Sequence, residues 1–498
     1  MSPPKFLRDL DTLIRARYPL LYLVTWEEQR LDQLMQQVAQ SHGKDLYEWS
    51  VNKGLKPMEG TKGPRGDELK NPIDALLAIP RLPNPSLVLL KDFHRQLDDP
   101  RVARGLRELS FQLKTGFSTV LIVAPTLNLP VELEKDVSVI DVPLPSRDDL
   151  MHLLRDIAGV VTRNKRATVE LNRDQAESLV AAAHGLTLAE AENAFAKAIA
   201  EDSRLDASDV RLVLEEKSQV VRKSGMLEYF ATDFSLDDVG GLLHLKEWLS
   251  RRRNAFSDSA RKFGLPEPKG LLLLGVQGCG KSLTAKAIAT QWRLPLLRLD
   301  MGRIYSGLIG SSEENLRRAI RVTESLAPAV LWVDEIEKGI ANSVGGGGDS
   351  GVSARVFGTL LTWLQEKTAP VFVVATANRI DALPPELLRK GRFDEIFFID
   401  LPSADERQAI FEIQLRRRGR DPAGFPLEAL AKASANFSGA EIEQAVVSAL
   451  YDAFADGVEL SAPLVLRALQ ETRPLAVTMA EDVNRLREWA QQRTRSAS

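Results

Sequence analysis

The chain has 498 residues, 44% hydrophobic and 27% charged, enough apolar material for ordinary buried cores and, on length, about three domains. A formal net charge of -3 and a pI near 6.1 supply no global attraction to DNA or RNA, no apolar run approaches the roughly 18 residues of a membrane span, and Met1–Asp11 lacks the apolar core of a signal peptide. The single cysteine, Cys279, cannot form an internal disulfide, which suits a reducing, cytosol-like compartment.

In chain order, Leu20 to Thr25 reads as an apolar strand and Glu27 to Gln40 as an amphipathic helix. Trp26, Glu27 and Glu28 stand at the helix start, where carboxylates favour the helix dipole and repel a nucleotide phosphate. Val51 to Asn71, rich in Gly, Pro and Lys, reads as an exposed loop. Leu87 to Leu90 and Val120 to Ala124 are further buried strands, the first ending in Lys91-Asp92. Arg222 to Thr232 is polar and is expected to link two halves. Two basic runs, Arg251-Arg252-Arg253 and Arg416-Arg417-Arg418, are either solvated helix ends or local anion contacts.

The second half opens on Asp237-Asp238-Val239-Gly240-Gly241 and a helix from Leu243 to Arg253. The stretch Gly275-Val276-Gln277-Gly278-Cys279-Gly280-Lys281-Ser282 then fits G-x-x-x-x-G-K-[ST], with an apolar strand before it and a helix, starting around Leu283, after it. Glycines allow such a loop to turn backbone N–H groups around a phosphate, and the helix N-terminus adds partial positive charge. Lys281 is expected to reach the β- and γ-phosphates and Ser282 to offer its hydroxyl to Mg²⁺. The strand Val330 to Val333 places Asp334 and Glu335 at its C-terminal end, where the first suits a metal and the second can orient the attacking water. The strand Val371 to Ala375 is followed by Asn378, an uncharged amide for the attacking water or the γ-phosphate. Arg389 and Arg392 flank a short glycine-containing turn, from which guanidinium groups can stabilise a transferring phosphoryl group in a neighbouring subunit.

Together these residues resemble the AAA ATPase family from about Phe234 to Leu475. The resemblance assigns Asp238, Val239, Gly240 and Gly241 to the wall beside adenine. It also identifies Ser438-Gly439-Ala440-Glu441 as the lid signature. It implies catalytic roles for Lys281, Asp334, Glu335, Asn378, Arg389 and Arg392, with ATP and Mg²⁺ as cofactors and the arginines acting across the subunit boundaries of a ring, usually a homo-hexamer. The layout looks most like a divergent branch of the family found in cyanobacteria and algal plastid genomes, which adds a plastid stroma to a cytoplasmic location.

The expected fold is therefore α/β: a P-loop AAA module, with a parallel sheet and helices on both faces, plus a helical lid, preceded by a degenerate AAA-like module lacking the nucleotide site. The expected domains are residues 1–220, a linker 221–233, the large subdomain 234–400, the lid 401–475 and a charged C-terminal helix with a frayed end at 476–498. The first half supports the degenerate copy through echoes: Ile140 to Ser146 repeats Phe398 to Ser403, and Leu186 to Glu192 repeats Phe437 to Glu443. A generic α/β domain is the alternative, and a different strand order would select it.

One departure concerns the pore. Leu308, in Ser306 to Gly310, stands where family members carry an aromatic ring that grips a threaded polypeptide, and Gly345 to Gly348 is a candidate second pore-facing loop. Two functions stay open: an ATP-driven remodeller of a protein client, and a slowly hydrolysing ATP-dependent scaffold or switch. A DNA motor has no basic groove to support it, and none of the five histidines belongs to an H-E-x-x-H zinc motif.

Overall fold

A computed structural model of the chain describes residues 5–58, 61, 69–82, 85–164, 168–206, 208–223, 225–230, 235–256, 258–305, 311–338, 350–380, 383–389 and 391–498, without the side chains of residues 237, 258, 311 and 350–353. It divides into two compact units, Met1–Val213 and Leu214–Ser498. The helix Asp209–Lys223 runs across this division and past residue 220, the expected end of the first module.

Unit 1 is built on a six-stranded sheet of β1 (Leu20–Val24), β2 (Asp45–Ser50), β3 (Gly54–Pro57), β4 (Ser86–Lys91), β5 (Thr119–Ala124) and β6 (Val137–Asp141), in the order β3-β2-β4-β5-β1-β6. All pairings are parallel except β2 with β3. The strands read as near-continuous apolar runs because both faces are covered. Leu20, Tyr22, Val88 and Leu90 pack with Trp49, Phe93 and Leu106 on one face, and Leu21, Leu23, Leu87 and Leu89 with Leu10, Leu31 and Met35 on the other. The loop expected over Val51 to Asn71 instead contributes the edge strand β3. Helices Arg147–Asn164, Arg173–Ala183 and Leu188–Asp202 follow, with a short pair of strands, β7 (Thr168–Val169) and β8 (Arg204–Leu205).

Unit 2 repeats the plan with β9 (Leu227–Phe230), β10 (Gly270–Gly275), β11 (Leu296–Asp300), β12 (Ala329–Asp334), β13 (Val371–Ala377), β14 (Glu395–Ile399) and β15 (Arg495–Ser496), in the order β15-β14-β10-β13-β12-β11-β9. Read from the opposite edge, unit 1 gives β6-β1-β5-β4-β2, which matches β14-β10-β13-β12-β11 strand for strand. The expected degenerate AAA-like module is thus present. A lid follows in helices Ala404–Arg417, Leu427–Ala433, Gly439–Ala455 and Ala462–Glu471, closed on Phe411, Leu415, Ile442, Val446 and Val465.

Two segments differ from expectation. The stretch read as a polar linker supplies β9, which adds antiparallel to β11. The C-terminal segment is not frayed: after the helix Ala480–Gln491, β15 pairs with β14, and Ala497 is buried where its carbonyl accepts from Leu245 N.

Candidate active site

β10 is a central strand, and the loop leaving its C-terminal end is fixed by glycine geometry. A Cβ on Gly275 would fall 1.9 Å from the Ile399 carbonyl oxygen of β14, so only glycine lets the two strands stay paired there. Gly278 and Gly280 take φ of +78° and +91°, and Gly280 caps the helix Lys281–Trp292. The loop thereby ends at a helix N-terminus, the arrangement that holds anions. Lys281 is buried inside this turn and donates to the carbonyls of Gly275 and Val276, both at 2.8 Å. Burial pulls its pKa down to about 8. Ser282 follows, half-buried, in the first turn of that helix, while Gln277 is exposed. Burial pushes the Cys279 thiol up to about 12, so it is a protonated wall of the loop and no nucleophile.

Asp334 and Glu335 end β12, two strands from β10, with β13 between them. Thr376 of β13 ties them together: its hydroxyl donates to Asp334 Oδ1 at 2.8 Å and accepts from Glu335 N at 3.0 Å. Glu335 sits in the left-handed region at φ +47°, strain of about 1 kcal/mol or more in a non-glycine residue, which turns its side chain off the strand direction. Its Oε1 accepts from Asn378 Nδ2 at 3.2 Å, and its Oε2 pairs with Lys338. Glu337 is buried, accepts from Asn378 N at 2.9 Å, and has its pKa raised by burial. Four of the expected residues, Asp334, Glu335, Asn378 and Lys281, therefore gather at the C-terminal edge of the β10-β13-β12 ribbon. Thr376 and Glu337 were missed because nothing in their local sequence distinguishes them from ordinary strand and turn residues.

Beside the loop lies a pocket walled by Asp238, Val239, Gly240, Gly278, Cys279, Gly280, Leu283, Gly439 and Ala440. Each of these was expected to contact the nucleotide. The lid reaches the loop directly: Ala440 N donates to the Gly278 carbonyl at 3.0 Å, and a Cβ on Gly278 would meet Ser438 Oγ at 2.8 Å. Ser438 caps the helix Gly439–Ala455 in a reciprocal capping box with Glu441. The same pocket is lined by Glu406, Ile410, Ile413 and Ser498, which sequence reasoning did not assign. Glu406 had one signal, its place in the Ser403-x-x-Glu406 capping box; Ser498 had none. Glu406 Oε1 accepts from Leu242 N and Ser498 Oγ, joining the segment before the helix Leu243–Arg252, the lid and the residues after β15.

Arg389 and Arg392 are not among the residues lining this pocket. Arg389 is exposed on the turn after the short helix Pro385–Leu388, and Arg392 donates to the Glu386 carbonyl. Leu308, with Ser306 to Gly310, and Gly345 to Gly348 lie outside the described residues, as does Lys390.

The donor set suits Mg²⁺ in kind: one carboxylate, Asp334, and one hydroxyl, Ser282, leave the remaining positions to water and phosphate oxygens, the usual partners of that ion. Among the described residues no group of three or more His, Cys, Asp or Glu side chains could hold a metal ion.

The matching place in unit 1 is filled from within. Glu27 is buried at the end of the loop after β1, and its Oε1 accepts from Leu188 N at 2.7 Å. Leu188 opens the helix capped by Thr187 with Glu190, the counterpart of the Ser438 and Glu441 box. Where the Gly278 carbonyl accepts from Ala440 N in unit 2, the Glu27 carboxylate here accepts from Leu188 N, placing a negative charge beside the turn that corresponds to the phosphate loop. Arg30 neutralises Glu27 at 2.7 Å. Lys91 stands at the end of β4 where Asp334 ends β12, and its ammonium pairs with Asp32 and Glu48 at 2.6 and 2.8 Å. Asp92, at φ +51°, keeps the backbone turn of Glu335.

Comparison with known proteins bears on the whole chain. A model of the ATPase family associated with various cellular activities (AAA) matches residues 271–401, and models of the N-terminal and second domains of SpoVK-like AAA ATPases match 6–142 and 148–224. The "uncharacterized AAA domain-containing protein ycf46" of Guillardia theta is 41% identical over 97% of this chain and 95% of its own length. That of Pyropia yezoensis is 41% identical over 99% of each. The chain belongs to the AAA ATPase family. This AAA ATPase is also 36% identical, over 42% of its length and 29% of the relative's, to a cell division cycle protein 48 homolog of Archaeoglobus fulgidus. The likeness to the algal proteins spans both units.

Proposed function

We propose that this AAA ATPase binds and hydrolyses ATP with Mg²⁺ at the subunit interfaces of a homo-hexameric ring and uses the cycle to rearrange a protein client or complex. The observation that carries the reading is the set Asp334, Thr376, Glu335 and Asn378, hydrogen-bonded in sequence on β12 and β13, at the same sheet edge as a buried lysine in a phosphate loop. Lys281 and the loop amides hold the phosphates; Asp334 and Ser282 hold the metal. Glu335, kept in place by Asn378, orients the attacking water. Mg²⁺ held there would supply charge neutralisation to the phosphates. Arg389 and Arg392 act in trans on the γ-phosphate of the next subunit. The direct bond from Ala440 N to Gly278 offers a route by which the lid follows the nucleotide state. The compartment proposed is the cytoplasm or a plastid stroma; among the described residues no helix is long and apolar enough to cross a membrane.

A slow scaffold or switch is the second reading, favoured by the carboxylate and ammonium that fill the first module's ligand positions. One experiment tests the main proposal. Glu335→Gln should keep ATP affinity while turnover falls by about 10² or more, so that ATP stays bound. Turnover equal to the parent's would reject the assignment. The two readings separate on whether the parent's turnover rises when a captured protein partner is added.

A further inference from the structure

The Asp334 carboxylate is not free to face a metal alone. Its Oδ2 accepts from Arg298 Nη2 at 3.0 Å, and Arg298 Nη1 reaches Glu228 Oε2 at 3.3 Å. Arg298 and Glu228 are direct cross-strand partners in the β11–β9 register, and the guanidinium lies 5.0 Å from the centroid of the Trp332 ring. Beyond Glu228 the series continues: Arg303 pairs with Glu228 and, at 3.5 Å, with Asp300. Opposite charges thus alternate along the sheet edge as Asp334, Arg298, Glu228, Arg303 and Asp300. Arg298 also has a buried Nε with no hydrogen-bond partner, so the guanidinium is held by its two carboxylates and the ring, with one donor unsatisfied.

This arrangement sets a competition. A divalent cation and a guanidinium both seek Asp334, and two cations on one carboxylate repel. Glu228 decides how much of the arginine's charge falls on Asp334, because it holds the other side of the same fork. Glu228 lies on β9, five residues after the helix Asp209–Lys223 in which the chain passes from unit 1 to unit 2. The strand that adds this carboxylate to the sheet was expected to be linker, and the nucleotide chemistry described above leaves it without a role.

We propose that Arg298 is a positioning residue for Asp334 that exchanges between Asp334 and Glu228 as Mg²⁺ enters, so that β9 sets the magnesium requirement of the nucleotide site. The inference rests on the reading of Asp334 as a metal carboxylate. Removing Arg298 removes the competitor, whereas removing the charge of Glu228 leaves the competitor bound to Asp334 alone. The two changes act in opposite directions.

The test is a magnesium titration of binding, without turnover, on the full chain. A non-hydrolysable imido analogue of ATP is bound at rising Mg²⁺, and the half-saturating Mg²⁺ concentration is read from calorimetry and from the thermal-unfolding shift. Arg298→Gln should lower that concentration by about threefold or more, and Glu228→Gln should raise it by about threefold or more, the scale of a partly exposed ion pair. The double variant should behave as Arg298→Gln, since Glu228 acts through the arginine. Arg298→Lys, which retains the charge, should stay near the parent and guards against a variant that loses the fold. Shifts of the same sign in both single variants, or an unshifted midpoint in both, would overturn the inference while leaving nucleotide binding intact. A parent chain that binds no analogue at any Mg²⁺ overturns the underlying reading and this inference with it.

Discussion

Lys281 shows how burial and function pull against one another at a single side chain. The ammonium is enclosed by the phosphate loop, and its pKa of about 8 reflects the desolvation of its charged form first, with partial relief from the nearby acids. A polyphosphate beside it favours the charged form and raises the pKa again, so binding above pH 8 must take up a proton. ATP affinity should then fall by up to roughly tenfold per pH unit above about pH 8. Calorimetry of the imido analogue in two buffers of different ionisation enthalpy would show that proton uptake; affinity independent of pH would argue that Lys281 is already charged in the empty loop. Lys281→Ala should abolish measurable binding. The residues at fixed spacing, Gly275 to Ser282, were readable because phosphate chemistry dictates their order. Arg298, Thr376 and Glu337 were not, because their partners stand on other strands and no local spacing records them.

At the scale of elements, the repeated order of strands and helices in the two units separates what a fold requires from what a site requires. The sheet of unit 1 survives on apolar strands buried on both faces, and those are indifferent to the loop at their ends. The loop has been rebuilt around Glu27. Its carboxylate joins the start of the helix Glu28–Ser41 to the start of the helix Leu188–Asp202, and Arg30 neutralises it. Glu27→Ala should destabilise unit 1 by about 2 kcal/mol, because the Leu188 N–H loses its acceptor and Arg30 loses its nearest carboxylate, keeping only the Pro143 carbonyl and Asp149. Glu27→Gln, which keeps an acceptor for Leu188 N, should cost less. Hydrogen exchange of the amides over residues 186–195 in the full chain reads both. Equal protection in parent and Glu27→Ala would show that the carboxylate holds nothing. β3, β9 and β15 were missed for a shared reason: each is only two to four residues long and lies at a sheet edge, too short for an alternating pattern, so pairing with a neighbour decides the strand.

For the whole molecule, the placement of the two arginines bears on how sites are completed. Neither Arg389, which is exposed, nor Arg392, which donates to the Glu386 carbonyl, lines the pocket beside the phosphate loop, as the proposal of a guanidinium supplied to a neighbour requires. Arg389→Ala and Arg392→Ala should each lower ATPase turnover by about 10³. Mixing either with Lys281→Ala subunits should restore part of the activity, since one partner offers an intact loop and the other an intact finger. Failure of every mixture to exceed the sum of its parts would argue that each chain completes its own site. The apolar core of Phe411, Leu415, Ile442 and Val446 holds the lid helices together, and the lid meets the loop through the bond from Ala440 N to the Gly278 carbonyl.

The amino-acid sequence by itself determined the phosphate loop, the acidic end of β12, the amide after β13, the lid cap and the existence of two related modules. Each is a local pattern in which neighbouring residues act on one ligand or bury one strand. Only the tertiary structure decided that Glu27 joins two helix starts of the first module, that Ser498 lines the pocket of the second, and that Asp334 shares a guanidinium with an edge strand. Those relations join residues far apart in the chain, and their energies come from burial and charge pairing across strands, which no run of consecutive residues encodes.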